Sequence, residues 1–508
     1  MFINFMKINK NYLFILLFFY YQPVLKSQEQ ILEKKSDLYI ENGILQFDYT
    51  IIPLSGGGSI DLLGTHYLHK LNDWLYLGLG FNAPLFKGNY GGFMTFDLGL
   101  HAQHDISDDL YINAGTALGG GGGGSSVAKS SELSGTGGFI KSYIGVGYKI
   151  TQNLSLGANY NYYKFKNSQI NNTQFGVFIQ TPTSYITSSY SNSSKPVRPR
   201  YNYPSKDDSM FTYEMNNIVQ INPTGTNKEI INTIAMQYSH FITDNTYLFL
   251  ALEVGYKGRP LYNQFIHGIG YRSLISSQVN LYSQLGIGSG GYSPNDIDTG
   301  PGLLIYPKAT LEYSVSKKMG VALSGGYLFA PLGTSKNYTL GLALNYHPNK
   351  REKRSSRLDN LTYTGFRVDV FNQTEFDVKI NNKKHKNIQL LSVQITNLIN
   401  DYIYMTIHSN VAYTEFLGYP GYGELLAGVG IQNKYSKSDN FQNFFQVLIG
   451  TNVQSMIVKP SIGTNYSINE RYAIYGQIGK TLSIGTDKSS SFDANNIGIG
   501  ITYRFSID

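Results

Sequence analysis

Cysteine is absent from the sequence. That excludes a disulfide framework, a Cys-ligated zinc site, a cysteine nucleophile and a lipid-modified N-terminal cysteine. Tryptophan occurs once. Charged residues make up only 15% of the chain, where a soluble domain usually carries about 25%. The formal charge is +7, and +4 once Lys7, Lys10 and Lys26 are removed with an N-terminal leader. So small an excess argues only weakly for any polyanionic partner, and nucleic acid is not expected. Beyond the N-terminus no stretch approaches the roughly 18 uninterrupted apolar residues of a transmembrane helix.

The N-terminal segment reads as an export signal. Lys7 and Lys10 form a basic region, Tyr12 to Tyr21 an apolar run, and Pro23 ends it. Leu25-Lys26-Ser27 offers a cleavage site, which makes residues 1–27 a signal peptide and Gln28 the expected mature N-terminus. An uncleaved N-terminal anchor is the alternative.

What the chain does have is 54 Gly, 42 Tyr and 28 Phe. Low charge with many tyrosines suits a surface that meets lipid and lines its headgroup borders with aromatic rings. It also suits a Gly/Tyr-rich secreted sandwich. Periodicity separates the two. Met94, Phe96, Leu98, Leu100 and Ala102 alternate with Thr95, Asp97, Gly99, His101 and Gln103, a period-2 strand with one apolar and one polar face. Leu154–Tyr162, Leu248–Tyr256 and Ile497–Phe505 alternate likewise. About 24 such strands of roughly 9–12 residues can be counted, the length a tilted membrane strand needs. Tight polar turns, as at Leu71-Asn72-Asp73, Thr243-Asp244-Asn245 and Asn469-Glu470-Arg471, alternate with longer loops at 119–137, 289–302 and 372–387. That asymmetry is usual in outer-membrane barrels.

The hairpin at 66–81 returns at 237–256 and 393–413, and the hairpin at 147–160 returns at 312–327 and 465–480. From Asp73 to Asp244 to Asp401 the spacings are 171 and 157 residues. Three units of about eight strands follow: 28–180, 211–346 and 360–508, with a polar linker at 181–210 and a basic linker at 347–359 (His-Pro-Asn-Lys-Arg-Glu-Lys-Arg onward). The expected fold is an all-β transmembrane antiparallel barrel. One ring of about 24 strands is favoured slightly over three linked eight-stranded barrels. Either leaves no unpaired sheet edge in lipid.

The closing segment Asn496–Phe505 (NIGIGITYRF) resembles the last strand of outer-membrane barrels of the OmpA/OmpX type, and Gln174–Gln180 and Tyr338–His347 are similar. In this chain Ser506-Ile507-Asp508 follow the final aromatic. The resemblance implies location in the outer membrane of a Gram-negative-type bacterium, insertion by the barrel-insertion machinery, and contact with outer-membrane lipid and lipopolysaccharide.

Candidate sites are sparse. Asp48, Asp97, His101, Lys149, Glu253, Lys257 and Arg504 fall on polar strand faces and are expected to face a lumen. Lys383, Lys384 and Lys386, beside His385, fall in an expected outer loop and are candidates for lipopolysaccharide phosphates, against the plainer reading of a solvated loop. His408 and Ser409 are adjacent, so they point to opposite faces and make a poor nucleophile–base pair. The run Gly119–Gly124, followed by Ser125-Ser126, lacks the Gly-Lys-Ser/Thr of a phosphate loop and reads as a flexible outer loop. Lys350, Arg351, Lys353, Arg354 and Arg357 read as a basic periplasmic linker. No enzyme activity, cofactor or metal is called for. The leading expectation is a passive, porin-like channel for small solutes. A structural or surface-interaction protein is the alternative, and a lipid-modifying barrel enzyme ranks last.

Overall fold

The computed structural model describes residues 38–123, 132–195, 209–257, 262–292, 295–316, 318–347, 363–452, 454–484 and 491–507. The signal segment 1–27 and the five basic residues Lys350, Arg351, Lys353, Arg354 and Arg357 lie outside them.

Almost everything described is strand. The first eight are β1 (Leu38–Pro53), β2 (Ser59–Lys70), β3 (Leu75–Ala83), β4 (Met94–Asp105), β5 (Leu110–Gly122), β6 (Gly138–Thr151), β7 (Leu154–Phe165) and β8 (Asn171–Ser188). After a short 3-10 helix, Tyr190–Asn192, come β9 (Ser209–Gln220), β10 (Ile231–Phe241), β11 (Thr246–Lys257), β12 (Asn263–Leu274), β13 (Val279–Gly291), β14 (Leu303–Ser314), β15 (Met319–Phe329) and β16 (Lys336–Tyr346). The rest are β17 (Thr364–Ile380), the two-residue β18 (Lys383–Lys384), β19 (Ile388–Leu398), β20 (Ile403–Ala412), β21 (Gly423–Gln432), β22 (Phe441–Asn452), β23 (Met456–Ser467), β24 (Tyr472–Ser483) and β25 (Phe492–Ile507).

Pairing is antiparallel throughout, and closure occurs three times. β1 pairs with β8 from Leu38↔Ser188 to Thr50↔Gly176. β9 pairs with β16 from Phe211↔Tyr346 to Gln220↔Asn337. β17 pairs with β25 from Thr364↔Ile507 to Ile380↔Phe492. Among the described residues one bridge, Ser188↔Ser506, joins strands of different rings. The single ring of about 24 strands is therefore replaced by linked eight-stranded barrels. The physical reason lies in the inward positions. A wide ring would leave its inner face to water. Here Gly64, Gly145, Gly268 and Gly341 sit where a Cβ would strike side chains or strands of the same ring, the spacing of a narrow barrel filled by its own side chains.

The outward faces are apolar and bare. Leu118, Ile144, Phe175, Leu323, Leu340 and Ile499 are each more than half exposed. Such a continuous belt has no place in water and fits lipid. At the end with tight turns, the periplasmic end by loop length, one device recurs. An aliphatic residue is followed by Asn, Ser or Thr whose side-chain oxygen accepts backbone N–H groups across the turn. Asn72 accepts from Leu75 at 2.9 Å, Thr243 from Thr246 at 2.9 Å, Ser276 from Val279 at 3.1 Å, Asn400 from Ile403 at 2.8 Å and Asn469 from Tyr472 at 2.8 Å. Polar turn residues thus satisfy backbone donors. The preceding Leu71, Ile275, Ile399 and Ile468 carry the apolar belt to its border.

Each ring touches the other two. Phe81 of β3 stacks on Phe265 of β12 with ring centroids 3.9 Å apart, Gly91 N donates to Gly300 O at 3.0 Å, and Ser289 Oγ donates to Pro84 O at 2.6 Å. Ile234 and Met236 of β10 pack on Leu425 of β21, and Tyr346 Oη donates to Asn397 at 3.0 Å. At the periplasmic end Arg471 pairs with Glu41 at 2.6 Å.

Two expected loops are corrected. Gly119–Gly122 belong to β5 and are buried; Gly120 and Gly122 lie against Ala412, Pro420 and Gly421 of the third ring. The run is a close-packing surface between barrels, because only glycine lets two backbones approach so nearly. Residues 372–380, expected as loop, continue β17, which pairs with β18 through Lys379↔Lys384.

Candidate functional site

The chemistry of this chain sits inside the rings. In the first, Lys141 of β6 donates to Asp48 of β1 at 2.9 Å, and both are buried. His66 of β2 lies 3.4 Å from Asp48 and 3.7 Å from Asp97 of β4, and Asn82 donates to Asp97 at 3.0 Å. Towards the periplasm, Gln180 donates to Gln46 at 2.8 Å and Tyr111 to Gln180 at 2.7 Å. In the second ring Lys308 and Ser324 bond to Glu214, and Glu253 accepts from Thr233, Gln264 and Asn216. Nearer the periplasm Glu312 meets His347 at 3.0 Å and accepts from Asn280 at 2.9 Å and Asn345 at 2.5 Å. In the third, Lys459 of β23 sits between Glu375 of β17, at 3.2 Å, and Glu424 of β21. Beneath it lies a glutamine belt in which Gln394 bonds to Gln446, Gln446 to Gln477, and Gln477 to Gln373. Buried charges of this kind persist only when paired and hydrogen-bonded.

Apolar clusters roof these polar layers at the loop end. Ile52, Leu54, Tyr90, Phe93, Leu133 and Phe165 close the first ring. Ile218, Ile231, Tyr262, Ile297 and Leu328 close the second. Val378, Ile388, Phe416, Tyr422 and Phe492 close the third. The third ring is also stopped from the periplasm. Its mouth holds Tyr190, 1% exposed, contributed by the segment that leaves the first ring. Ser189 Oγ donates to Glu470 at 2.9 Å, and Ser506 Oγ donates to Ser189 O at 2.8 Å, tying this strap down.

Of the seven candidate lumen residues, Asp48, Asp97, His101, Glu253 and Arg504 are buried within rings. Lys149 lies at the periplasmic rim, paired with Asp105 at 2.8 Å, and Lys257 is exposed at the loop-end rim. His101 turns its Nδ1 to the Tyr143 hydroxyl at 2.6 Å, and the histidine beside Asp97 is His66 instead. Sequence reading missed His66, Lys141, Glu214, Lys308, Glu312, Arg367, Glu375, Glu424 and Lys459. Their signal was a charged residue on a polar strand face, two of them in β14 and in β17, repeated across strands. His408 is fully buried against Phe371, with ring centroids 5.4 Å apart, and neither ring nitrogen has a hydrogen-bond partner among the described residues. Of the surface lysines, Lys384 pairs with Asp377 at 3.3 Å and Lys386 with Glu415 at 3.0 Å. Among the described residues no cluster of three or more His, Asp or Glu is arranged to hold a metal.

A family model described as BamG matches residues 122–257, from the end of β5 through β11. No curated relative matches the chain. Among solved structures, the siderophore receptor PirA from Acinetobacter baumannii is similar at 10% identity over 92% of this chain and 80% of its own, with a TM-score of 0.29. KdgM porin is similar at 9% identity over 57% of this chain and 98% of its own, with a TM-score of 0.15. Superpositions this loose carry no argument about function. With its bare apolar exterior, closed rings and polar filling, the chain is an outer-membrane-type β-barrel protein.

Proposed function

We propose that the protein is a structural and surface-interaction component of the outer membrane, a rigid platform of three packed barrels that presents its loops to other envelope constituents. The observation that carries this reading is the filling of every ring, by ion-paired polar layers below and an apolar roof above. The passive-channel expectation needs a continuous wet lumen, and the roofs weigh against it. The refolded mature chain, residues 28–508, is expected to insert into a planar bilayer without conductance steps. Large, reproducible steps from folded protein would overturn the platform reading in favour of solute diffusion.

Export by a cleaved signal at residues 1–27 and residence in a Gram-negative-type outer membrane belong to this proposal, as does the lack of enzymatic activity. His408, walled in beside Phe371 with Ser409 on the opposite face, supports the last point. The BamG match supports association with the barrel-insertion machinery, testable by co-purification from detergent-solubilised membranes.

Lipopolysaccharide contact at Lys383, Lys384 and Lys386 draws less support, because two of the three already hold a carboxylate. Replacing all three by Ala is expected to weaken lipopolysaccharide binding by no more than about fivefold, the scale of about 1 kcal/mol for exposed charge contacts. Retention on immobilised lipopolysaccharide at two salt concentrations measures it. A larger, salt-sensitive loss would restore the loop as a binding site.

A further inference from the structure

The third ring carries a pair of arginines that the platform reading does not use. Arg367 of β17 and Arg504 of β25 are register partners on adjacent strands. They are 1% and 0% exposed. Like charges placed directly opposite one another repel, and both of these groups are buried. Each guanidinium lies on aromatic faces: Arg367 over Tyr404 at 5.0 Å and Phe444 at 5.9 Å, Arg504 over Tyr435 at 4.7 Å and Tyr190 at 5.6 Å. Some of their N–H groups are satisfied. Arg367 Nη1 donates to Gln432 at 2.8 Å, and Arg504 Nη2 to Ser467 Oγ at 3.0 Å and Asn469 O at 2.8 Å.

Others are not. Arg367 Nε, Arg504 Nε and Arg504 Nη1 are buried with no partner among the described residues, and so is the Tyr190 hydroxyl. Asp369, two positions along β17, attracts both guanidiniums but is one carboxylate for two cations, and it is engaged by Thr502 Oγ1 at 2.6 Å and Gln394 at 3.5 Å. Neither arginine forms an ion pair among the described residues, and the ring's lysine, Lys459, is matched to its own two glutamates. Two buried guanidiniums with open donors, side by side, are costly unless an anion lies between them. Arginine's planar fork suits oxyanions over spherical ions.

We propose that this arginine pair binds one small oxyanion, a phosphate or carboxylate group, held by Arg367 and Arg504 and reached from the periplasmic mouth beneath the Tyr190 strap. The aromatic rings shield the guanidinium faces, so the donors are directed edge-on. A free ion and the phosphate of a lipid headgroup present the same chemistry to these donors.

The test uses the full chain folded in zwitterionic detergent without phosphate. Inorganic phosphate is titrated calorimetrically, with sodium acetate and sodium chloride as parallel arms. Total phosphorus of the purified protein is measured before and after dialysis against acetate. Phosphorus that leaves on dialysis identifies a free ion, and phosphorus extracted only into organic solvent identifies a lipid headgroup; either supports the site. Saturable phosphate or acetate binding is expected, weakened at least about tenfold in Arg504→Gln and Arg367→Gln and kept in Lys164→Gln, an exposed lysine on β7 of the first ring. Binding that survives both arginine substitutions overturns the proposal. So does a wild-type chain that neither binds these anions in the millimolar range nor carries phosphorus. Should an arginine variant not fold, Tyr190→Ala decides. Removing the strap's ring is expected to speed anion exchange at least about tenfold with both arginines in place, and unchanged exchange overturns the proposed route and site together.

Discussion

Lys459→Met is expected to destabilise the third ring by about 3–5 kcal/mol, the range for removing one partner of a buried charge set. The lysine is 0% exposed and lies between Glu375 and Glu424, themselves fully buried or nearly so. Its loss leaves two carboxylates facing one another in a low-dielectric space. Their remaining partners are Thr481, at 3.0 Å, and Gln373, at 2.7 Å, on Glu375, with Tyr422, at 2.8 Å, and Asn410, at 2.6 Å, on Glu424. Those neutral donors hold the carboxylates in place without cancelling their charge. Urea unfolding in detergent, followed by the heat-dependent gel mobility of a folded barrel, measures the loss. The triple change Lys459→Met, Glu375→Gln and Glu424→Gln is expected to recover most of it, since a neutral set of similar size removes the unpaired charge. Lys384→Met, on an exposed ribbon, should stay within about 0.5 kcal/mol. If Lys459→Met also stayed within that margin, the interior would have to be wet enough to screen the glutamates, and the packed-ring reading would fail with it.

Strand parity made much of this legible. Alternation alone put Asp97 and Asp48 on the polar face, and both are buried inside a ring. It put Ile497, Ile499 and Ile501 on the apolar face, and all three are exposed outside one. Alternation is a property of one strand, however, and closure is a property of two distant ones. Nothing in β8 alone says that its partner is β1, which is why one ring and three rings satisfied the same pattern. The arginine pair was hidden for the same reason. Arg504 reads as a lone inward charge until the register sets Arg367 beside it. Tyr190 was unreadable in another way. It lies in a polar linker without periodicity, and only the neighbouring mouth of the third ring gives its side chain a place. The glycine run misled because a residue without a side chain shows no face. Its burial comes from what another barrel brings to it.

That last point yields a second large effect. Gly120→Val with Gly122→Val is expected to part the first and third rings at their loop ends while leaving each ring folded. A Cβ at Gly120 would overlap the Ala412 carbonyl, and one at Gly122 would lie 2.9 Å from the backbone nitrogen of Gly421. Backbone cannot yield as a flexible side chain can, so each change costs about 1–3 kcal/mol in overpacking unless the rings separate. Separation is the easier response, because the loop-end contact is glycine against backbone and offers little apolar area to resist it. The cysteine-free chain gives a clean reporter. A Cβ at Gly138 would lie 3.6 Å from that of Tyr413 across the same seam, within the range a disulfide accepts, and 2.7 Å from the Tyr413 carbonyl, one contact to which the strands must yield. Gly138→Cys with Tyr413→Cys should therefore oxidise to a measurable yield with the seam's other glycines in place, and shift mobility on a non-reducing gel. In the Gly120→Val, Gly122→Val background the cross-link yield should fall severalfold, with heat-dependent mobility retained as proof that the rings stand. Equal yields in both backgrounds would mean that the glycines do not set the approach of the two barrels. The Arg471–Glu41 pair and the Ser188–Ser506 bridge at the periplasmic end would then have to hold the rings in contact along their whole height.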